Sequence, residues 1–273
     1  RKADGGYNYS TSDLACIIGR VERIGCDGFL YVVGTPQKQH FEMVFQVAIQ
    51  AGFMNENHQA IHVNFGSVLD TDGKVLKSRE GEVIKLHDLL DEAIRRAEDA
   101  INEKNPDLVG EERKEVARTV GIGAVKYADL STERTKDYVF DWERMLSFDG
   151  NTAPYLQYAY ARISSIFRKW GGDRNGLPHS KIILTYPEEL SLSRRLSDFP
   201  AILDDSISTF SPHKLCTHLH SIASSFASFY ENCNVLKEED EQIIRSRLAM
   251  CDLTARELKL GLGLLGIGVP ERM

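Results

Sequence analysis

Up to about residue 85, apolar residues fall in short runs of two different periods. Positions 13–23 and 37–51 repeat at helical spacing. Phe29-Leu-Tyr-Val-Val33 is instead a continuous apolar run of strand length, and 61–69 reads as a second strand. Strands separated by a helical stretch predict a parallel sheet with crossover connections, the doubly wound style. Two strands are too few to complete such a sheet, so the remaining strands are expected upstream of Arg1. The chain opens on Arg1-Lys-Ala-Asp4 rather than Met, which reads as a cut through a longer protein.

From about residue 86 the pattern turns almost wholly helical. Leu89, Leu90, Ala93, Ile94, Ala97 and Ile101 form one apolar stripe over 86–102. The polar stretch from Asn102 to Asp107 breaks that helix, and 111–130 makes the next. After a turn at Gly150-Asn151, four long helices are expected at 153–171, 187–209, 212–233 and 239–265. Ser211 is placed as an N-cap, Pro212 at a first helical position and Gly266 as a C-terminal stop. Such lengths and short connections predict a bundle that closes Ile222, Phe226 and Phe229 against Leu248, Leu258 and Leu262. Gly261, Gly263 and Gly266 match G-x-G-x-x-G in letters only. That fingerprint needs a strand before it and a helix opening after it, and here it ends a helix.

Composition narrows the classes. With 273 residues, 42% of them hydrophobic, the chain can bury the cores of two domains. No apolar run approaches the roughly 18 residues that span a bilayer, so no membrane is expected. A formal charge of −7 argues against binding nucleic acid through bulk charge, and DNA is not an expected partner. A local basic stretch stands out all the same: Arg162, Arg168, Lys169, Arg174 and Lys181 against the single acid Asp173. It reads either as a solvated helix face or as a nucleic-acid contact that weakens as salt rises. The five cysteines show no C-x-x-C pair and read as reduced, mostly buried thiols. His218 and His220, two apart on a helix, point to different sides, so no protein-bound metal is expected.

Three blocks carry candidate chemistry. In Asp4-Gly-Gly-Tyr-Asn-Tyr-Ser-Thr-Ser-Asp13-Leu-Ala, paired glycines let backbone approach a ligand, and Tyr9 lies one helical turn from Asp13. Taken alone, the block reads first as a helix start, with Ser10, Thr11, Ser12 or Asp13 as the cap. Gly34-Thr-Pro-Gln37-Lys-Gln-His40-Phe41 follows a strand, where ligands of open α/β sheets gather, but a plain strand-to-helix turn fits equally well. In Phe65-Gly66-Ser-Val-Leu-Asp-Thr-Asp72-Gly73-Lys74-Val-Leu-Lys77-Ser-Arg79-Glu-Gly81, a turn is followed by three cations within six residues. It is a solvated hairpin or a loop that closes over polyphosphate.

In order and spacing these blocks resemble arginyl-tRNA synthetase, a class I aminoacyl-tRNA synthetase. The third resembles that family's divergent form of the Lys-Met-Ser-Lys-Ser loop, at about 70–81. The likeness continues through Val120-Gly-Ile-Gly-Ala-Val-Lys-Tyr-Ala-Asp-Leu130, Phe140-Asp-Trp-Glu, the segment from Gly150 to Arg162, Phe229-Tyr-Glu-Asn-Cys233 and the final Pro-Glu-Arg-Met273. The fold it implies is α/β followed by all-α. That means the second half of a Rossmann-like catalytic domain over 1–110, a helical connector over 111–150 and a helical-bundle anticodon-binding domain over 151–273.

The resemblance also implies roles. Tyr9, Asp13 and Gln37 would contact the amino acid, with Asp13 facing the cationic side chain of L-arginine. His40, Phe65 and Gly66 would lie at ATP, Lys77 and Arg79 would face its phosphates, and Mg²⁺ would arrive with the nucleotide. Tyr158, Arg162, Tyr230 and Met273 would contact tRNA(Arg), while Phe229 reads as bundle core. The implied reaction activates arginine as its adenylate and passes it to the tRNA, in the cytoplasm, by positioning and charge stabilisation without a protein nucleophile. The family's His-Ile-Gly-His segment is absent between Arg1 and Met273, as is its domain for the tRNA elbow, so this chain alone is expected to charge no tRNA. Gly34 stands where many members carry an acid. Two alternatives are a non-catalytic tRNA-binding fragment and another class I enzyme such as the cysteinyl one, which would show zinc-binding Cys and His.

Overall fold

A computed structural model describes residues 3, 5–74 and 85–273. The chain forms two compact units: Arg1–Val68 with Arg134–Tyr138, and Leu69–Glu133 with Val139–Met273.

In the smaller unit, strands β1 (Gly28–Gly34) and β2 (Gln59–Phe65) run parallel, in register from Gly28 opposite Gln59 to Gly34 opposite Phe65. Helix α2 (Lys38–Gln50) makes the expected crossover, and a 3₁₀ turn at Thr35–Gln37 leads into it. Ile17, Phe29, Val44, Ala48 and Met54 form the core. Two expectations need correction. Helix α1 (Tyr9–Ile18) starts earlier than position 13, because Asn8 adopts an extended conformation and its side chain accepts from the Thr11 amide. The helix then widens into a π-turn over Gly19–Ile24. The supposed single strand over 61–69 stops at Phe65, and only Val68–Leu69 (β3) returns to strand geometry. The break is made by the next two amides, which leave the ladder: Gly66 N–H donates to the Arg134 carbonyl at 2.7 Å and Ser67 N–H to Asp137 Oδ1 at 2.6 Å.

The larger unit is helical. It holds α3 (Leu86–Lys104), α4 (Gly110–Ser131), the short α5 (Trp142–Met145), α6 (Ala153–Trp170), α7 (Pro187–Ser208), α8 (Pro212–Asn232) and α9 (Glu241–Leu264). The last four lie within a residue or two of their expected bounds. Ile222, Phe226, Phe229, Leu248, Leu258 and Leu262 share one buried cluster, as the apolar periodicity requires. Pro212 occupies a first-turn position, but Ser211 does not cap α8 through its side chain, which donates to the Thr209 carbonyl at 3.1 Å. Cys216, Cys233 and Cys251 are buried, and burial pushes the Cys216 thiol up to about 12 and that of Cys233 to about 11.

One core interaction of this unit lies outside any apolar pattern. Glu189, fully buried near the start of α7, meets Arg247 of α9, itself 1% exposed, at 2.7 Å. Glu189 also accepts from the backbone amides of Thr185 and Tyr186, which closes the entry to α7. Arg247 donates further to the Asn234 carbonyl at 2.8 Å and to Glu238 at 3.1 Å. Burial pushes the Glu189 carboxyl up, but hydrogen bonds from Arg247, Tyr186 and Thr185 more than offset it and hold its pKa below the ordinary range.

Arg247→Met should therefore cost about 3–5 kcal/mol, the penalty of a buried charge left alone. Urea denaturation followed by helical circular dichroism measures it. Glu189→Gln/Arg247→Met, which keeps an acceptor for the two amides without a charge, should be more stable than Arg247→Met alone. The sign with pH follows from the depressed folded pKa. The pair's contribution is complete above the unfolded carboxyl's pKa of about 4.3 and is lost as pH falls through the lower folded value.

Candidate functional site

The tips of two parallel strands can hold a ligand only if they stay level, and a chain of polar contacts does this. Thr35 Oγ1 donates to the Phe65 carbonyl at 3.0 Å, and Asn64 Nδ2 donates to Thr35 Oγ1 at 3.0 Å. Arg134 Nη1 donates to the Asn64 carbonyl at 2.6 Å and to its Oδ1 at 2.9 Å. Gly66 sits so close to the 136–137 peptide that an added Cβ would lie 2.6 Å from the Lys136 carbonyl carbon and 2.9 Å from the Asp137 nitrogen. Only a residue without a Cβ fits there.

Beside these tips, Gln37 ends the 3₁₀ turn, exposed, and His40 stands in the first turn of α2. Because α1 begins at Tyr9, Asp13 lies inside the helix rather than at its cap, so its carboxylate is not used on the helix's own amides. It meets His40 instead, Nε2 to Oδ2 at 2.7 Å. Tyr9, the first residue of α1, is 82% exposed. The resemblance assigned Asp13 to the amino acid and His40 to the nucleotide, whereas the fold brings the two into direct contact.

An aromatic cluster supports this contact. The Phe41 ring lies 4.9 Å from Tyr31, 5.0 Å from His62 and 5.2 Å from His40. The phenol of Tyr31 accepts from Arg20 Nη1 at 2.6 Å. Burial raises the Tyr31 pKa; Arg20 opposes that shift and the Asp13 charge adds to it. His62 Nε2 donates to the Val33 carbonyl at 2.9 Å, which fixes its tautomer. Arg20, Thr35, Asn64 and Arg134 were not singled out from the sequence, since each is an isolated polar residue whose partner is distant. Lys77 and Arg79 lie outside the described residues. The Asp72-Gly73 turn preceding them forms as expected, with Asp70 Oδ1 accepting from the amides of Asp72 and Lys74.

In the helical unit, the Arg162 guanidinium lies 4.8 Å over the Tyr158 ring and 5.1 Å over the Tyr230 ring, and both rings are 39% exposed. Phe148 meets Tyr158 edge-on at 6.3 Å, and Lys104 Nζ lies 4.6 Å over Phe148. A cavity of about 380 Å³ opens beside them, bounded by Lys104, Asn105, Phe148, Asp149, Tyr158 and Met273. The Met273 carbonyl accepts from Asn105 Nδ2 at 3.2 Å. Phe229 is core, as its periodicity predicts. Tyr160 is buried too: its phenol donates to Glu271 at 2.7 Å, and burial with that carboxylate pushes it up to about 12.

The basic run 162–181 is not a single face, because α6 ends at Trp170 and the chain turns through a 3₁₀ segment at Leu177–His179. Two of its cations serve the fold: Arg168 donates to the Glu271 carbonyl at 2.9 Å, and Arg174 pairs with Asp252 at 2.7 Å and covers Phe167. His218 and His220 part as expected, the first against Phe199 and the second against Tyr155. The glycine triplet also belongs to packing. A Cβ on Gly261 would come 2.5 Å from Leu219 Cδ2, and Gly266 ends α9 at φ 70°.

Residues 1–142 match the family described as tRNA synthetases class I (R), catalytic domain, and residues 156–273 match the DALR anticodon binding domain. The arginine–tRNA ligase of Yersinia pseudotuberculosis is 47% identical over all 273 residues, and the chain spans 47% of that relative's length. The crystal structure of arginyl-tRNA synthetase from Plasmodium falciparum superposes with a TM-score of 0.83 at 30% identity, covering 100% of this chain and 46% of that one. The Thermus thermophilus arginyl-tRNA synthetase superposes at 0.86 and 27% identity, covering 99% of this chain and 50% of that one.

Gly66→Ala should lower stability by about 1–3 kcal/mol, because the colliding atoms are backbone and cannot swing aside. Gly263→Ala, whose Cβ would meet nothing within 4 Å, is the matched control and should be neutral or stabilising. Thermal melts of the two variants give the comparison, and equal melts would remove the steric role of Gly66.

Proposed function

Because the chain belongs to the class I arginyl-tRNA synthetase family, we propose that the protein activates L-arginine with ATP and transfers it to tRNA(Arg). The observation that carries this reading is the 47% identity to an arginine–tRNA ligase over all 273 residues, together with the matches to a catalytic and an anticodon-binding family. On this reading the work divides among a catalytic part over 1–110, a connector over 111–150 and an anticodon-binding part over 151–273, in a cytoplasmic enzyme. Among the described residues no helix is long and apolar enough to cross a membrane.

In the first half-reaction the arginine carboxylate attacks the α-phosphorus of ATP and pyrophosphate departs. In the second a ribose hydroxyl of the tRNA 3′ adenosine attacks the activated carbonyl and adenylate leaves. Tyr9, Asp13 and Gln37 bind the amino acid. Asp13 supplies charge: a charge-assisted hydrogen bond to the guanidinium contributes about 1.5–3 kcal/mol. Phe65 and Gly66 offer backbone to the nucleotide beside His40. What supports this is the close backbone packing at Gly66, which keeps the strand tip clear of any side chain of its own. Lys77 and Arg79 neutralise the phosphates, and Mg²⁺ bound to them supplies further charge neutralisation when present. Tyr158, Arg162, Tyr230 and Met273 receive unstacked anticodon-loop bases. Two half-exposed rings bridged by a guanidinium, beside a cavity with an apolar wall, have the chemistry for stacking such bases.

In the full-length protein, Asp13→Asn should raise the Michaelis constant for arginine about tenfold to a hundredfold and that for ATP little. An unchanged arginine constant would overturn the assignment. Arg162→Ala should weaken tRNA binding by about 1–3 kcal/mol, with arginine activation unaffected. Filter binding at several salt concentrations, alongside ATP–pyrophosphate exchange, separates the two effects.

A further inference from the structure

The contact between Asp13 and His40 joins two elements 27 residues apart in sequence, with Nε2 and Oδ2 separated by 2.7 Å. A carboxylate only accepts hydrogen bonds, so Nε2 is the nitrogen that carries the proton. The imidazole is held from its other side as well. It meets Phe41 edge-on at 72°, and Phe41 is in turn enclosed by Tyr31, Phe45 and His62. Among the described residues Asp13 Oδ1 accepts no hydrogen bond, so only one of the two oxygens is committed. Arg20 is the nearby cation, and it is engaged elsewhere: its guanidinium bonds the Tyr31 phenol at 2.6 Å and lies 5.1 Å over that ring. A half-buried acid thus has an imidazole N–H as its partner, while Arg20 is held on an aromatic hydroxyl.

We propose that His40 is a positioning residue for the amino-acid substrate: its Nε2–H holds Asp13 Oδ2 and leaves Oδ1 for the guanidinium of L-arginine. This inference rests on the reading that Asp13 binds arginine, and it adds to the placement of His40 beside the nucleotide. A free carboxylate on a helix samples several rotamers, and binding must then freeze one of them. An imidazole fixed by its own packing restricts those rotamers beforehand, so less ordering remains for the substrate to impose. The aromatic cluster between β1 and α2 thereby becomes the rear support of the arginine pocket: Tyr31 engages Arg20, and Phe41 packs against His40.

The test uses the full-length protein in ATP–pyrophosphate exchange, with Michaelis constants for arginine and ATP and a thermal melt for each variant. His40→Phe keeps a ring against Phe41 and removes the donor, and His40→Ala removes both. Each should raise the arginine constant about fivefold to tenfold, and by more than it raises the ATP constant. His40→Gln, which restores an N–H donor at similar reach, should recover most of the arginine affinity. A merely structural role would predict that His40→Phe behaves as wild type and that His40→Gln rescues nothing. In the Asp13→Asn background, His40→Phe should add less than about a twofold effect, because the group it positions is already lost. If His40→Phe raises the ATP constant alone while Asp13→Asn still impairs arginine, the positioning role is overturned and the arginine reading stands. If Asp13→Asn leaves arginine binding intact, the reading of the pocket fails and this inference with it.

Discussion

A charged or strongly polar group taken out of water must meet partners that replace its hydration, and the interior of the helical unit is arranged around that requirement. In the helical unit it is met by Glu189 and Arg247, which bring the start of α7, the segment after α8 and the body of α9 to one point. An apolar pair of the same volume could stabilise as much. What the ion pair adds is direction: two backbone amides on one side of Glu189 and a carbonyl on the far side of Arg247 admit only one arrangement of those elements. In the smaller unit a more exposed chain of polar contacts levels the strand tips, with Arg134 bonding Asn64 and Asn64 bonding Thr35.

The chemistry of the candidate sites grows out of these supports. Beside the strand tips an acid and a cation have separate partners: Asp13 an imidazole and Arg20 a phenol. That separation leaves one carboxylate oxygen of Asp13 without a hydrogen bond among the described residues. In the helical unit the logic runs the other way. Arg168 and Arg174 stand in the most basic stretch of the chain, but both are engaged with the protein, so their charge is largely used internally. Arg162 differs because it stands over two half-exposed rings rather than against a carboxylate or a carbonyl.

Local patterns made much of this legible. A 3.6-residue apolar period depends only on neighbours along the chain, so α6 to α9 lie close to where the spacing of Leu, Ile and Phe put them. The run from Phe29 to Val33 marked β1 for the same reason. Helix starts were less legible, because several capping residues stood in a row from Asn8 to Asp13, and backbone geometry chose the first of them. The family likeness was legible because it rests on many motifs spread along the chain, none of which had to be interpreted through contacts.

Side-chain partners were decided by the tertiary structure alone. Asp13 and His40 are 27 positions apart, Glu189 and Arg247 are 58, Asn64 and Arg134 are 70, and Arg168 reaches a carbonyl 103 positions away. No periodicity connects such residues, and a charged side chain looks the same in sequence whether it faces solvent, substrate or a buried counter-charge. The break after Phe65 has the same origin, since Gly66 leaves its strand to meet a peptide seventy residues downstream. By itself the sequence determined which segments are helix or strand, and to which family the chain belongs. Which charges remain free to act was settled only when folding brought distant partners within hydrogen-bond range, because pairing energy depends on distance in space and on the loss of water around both groups.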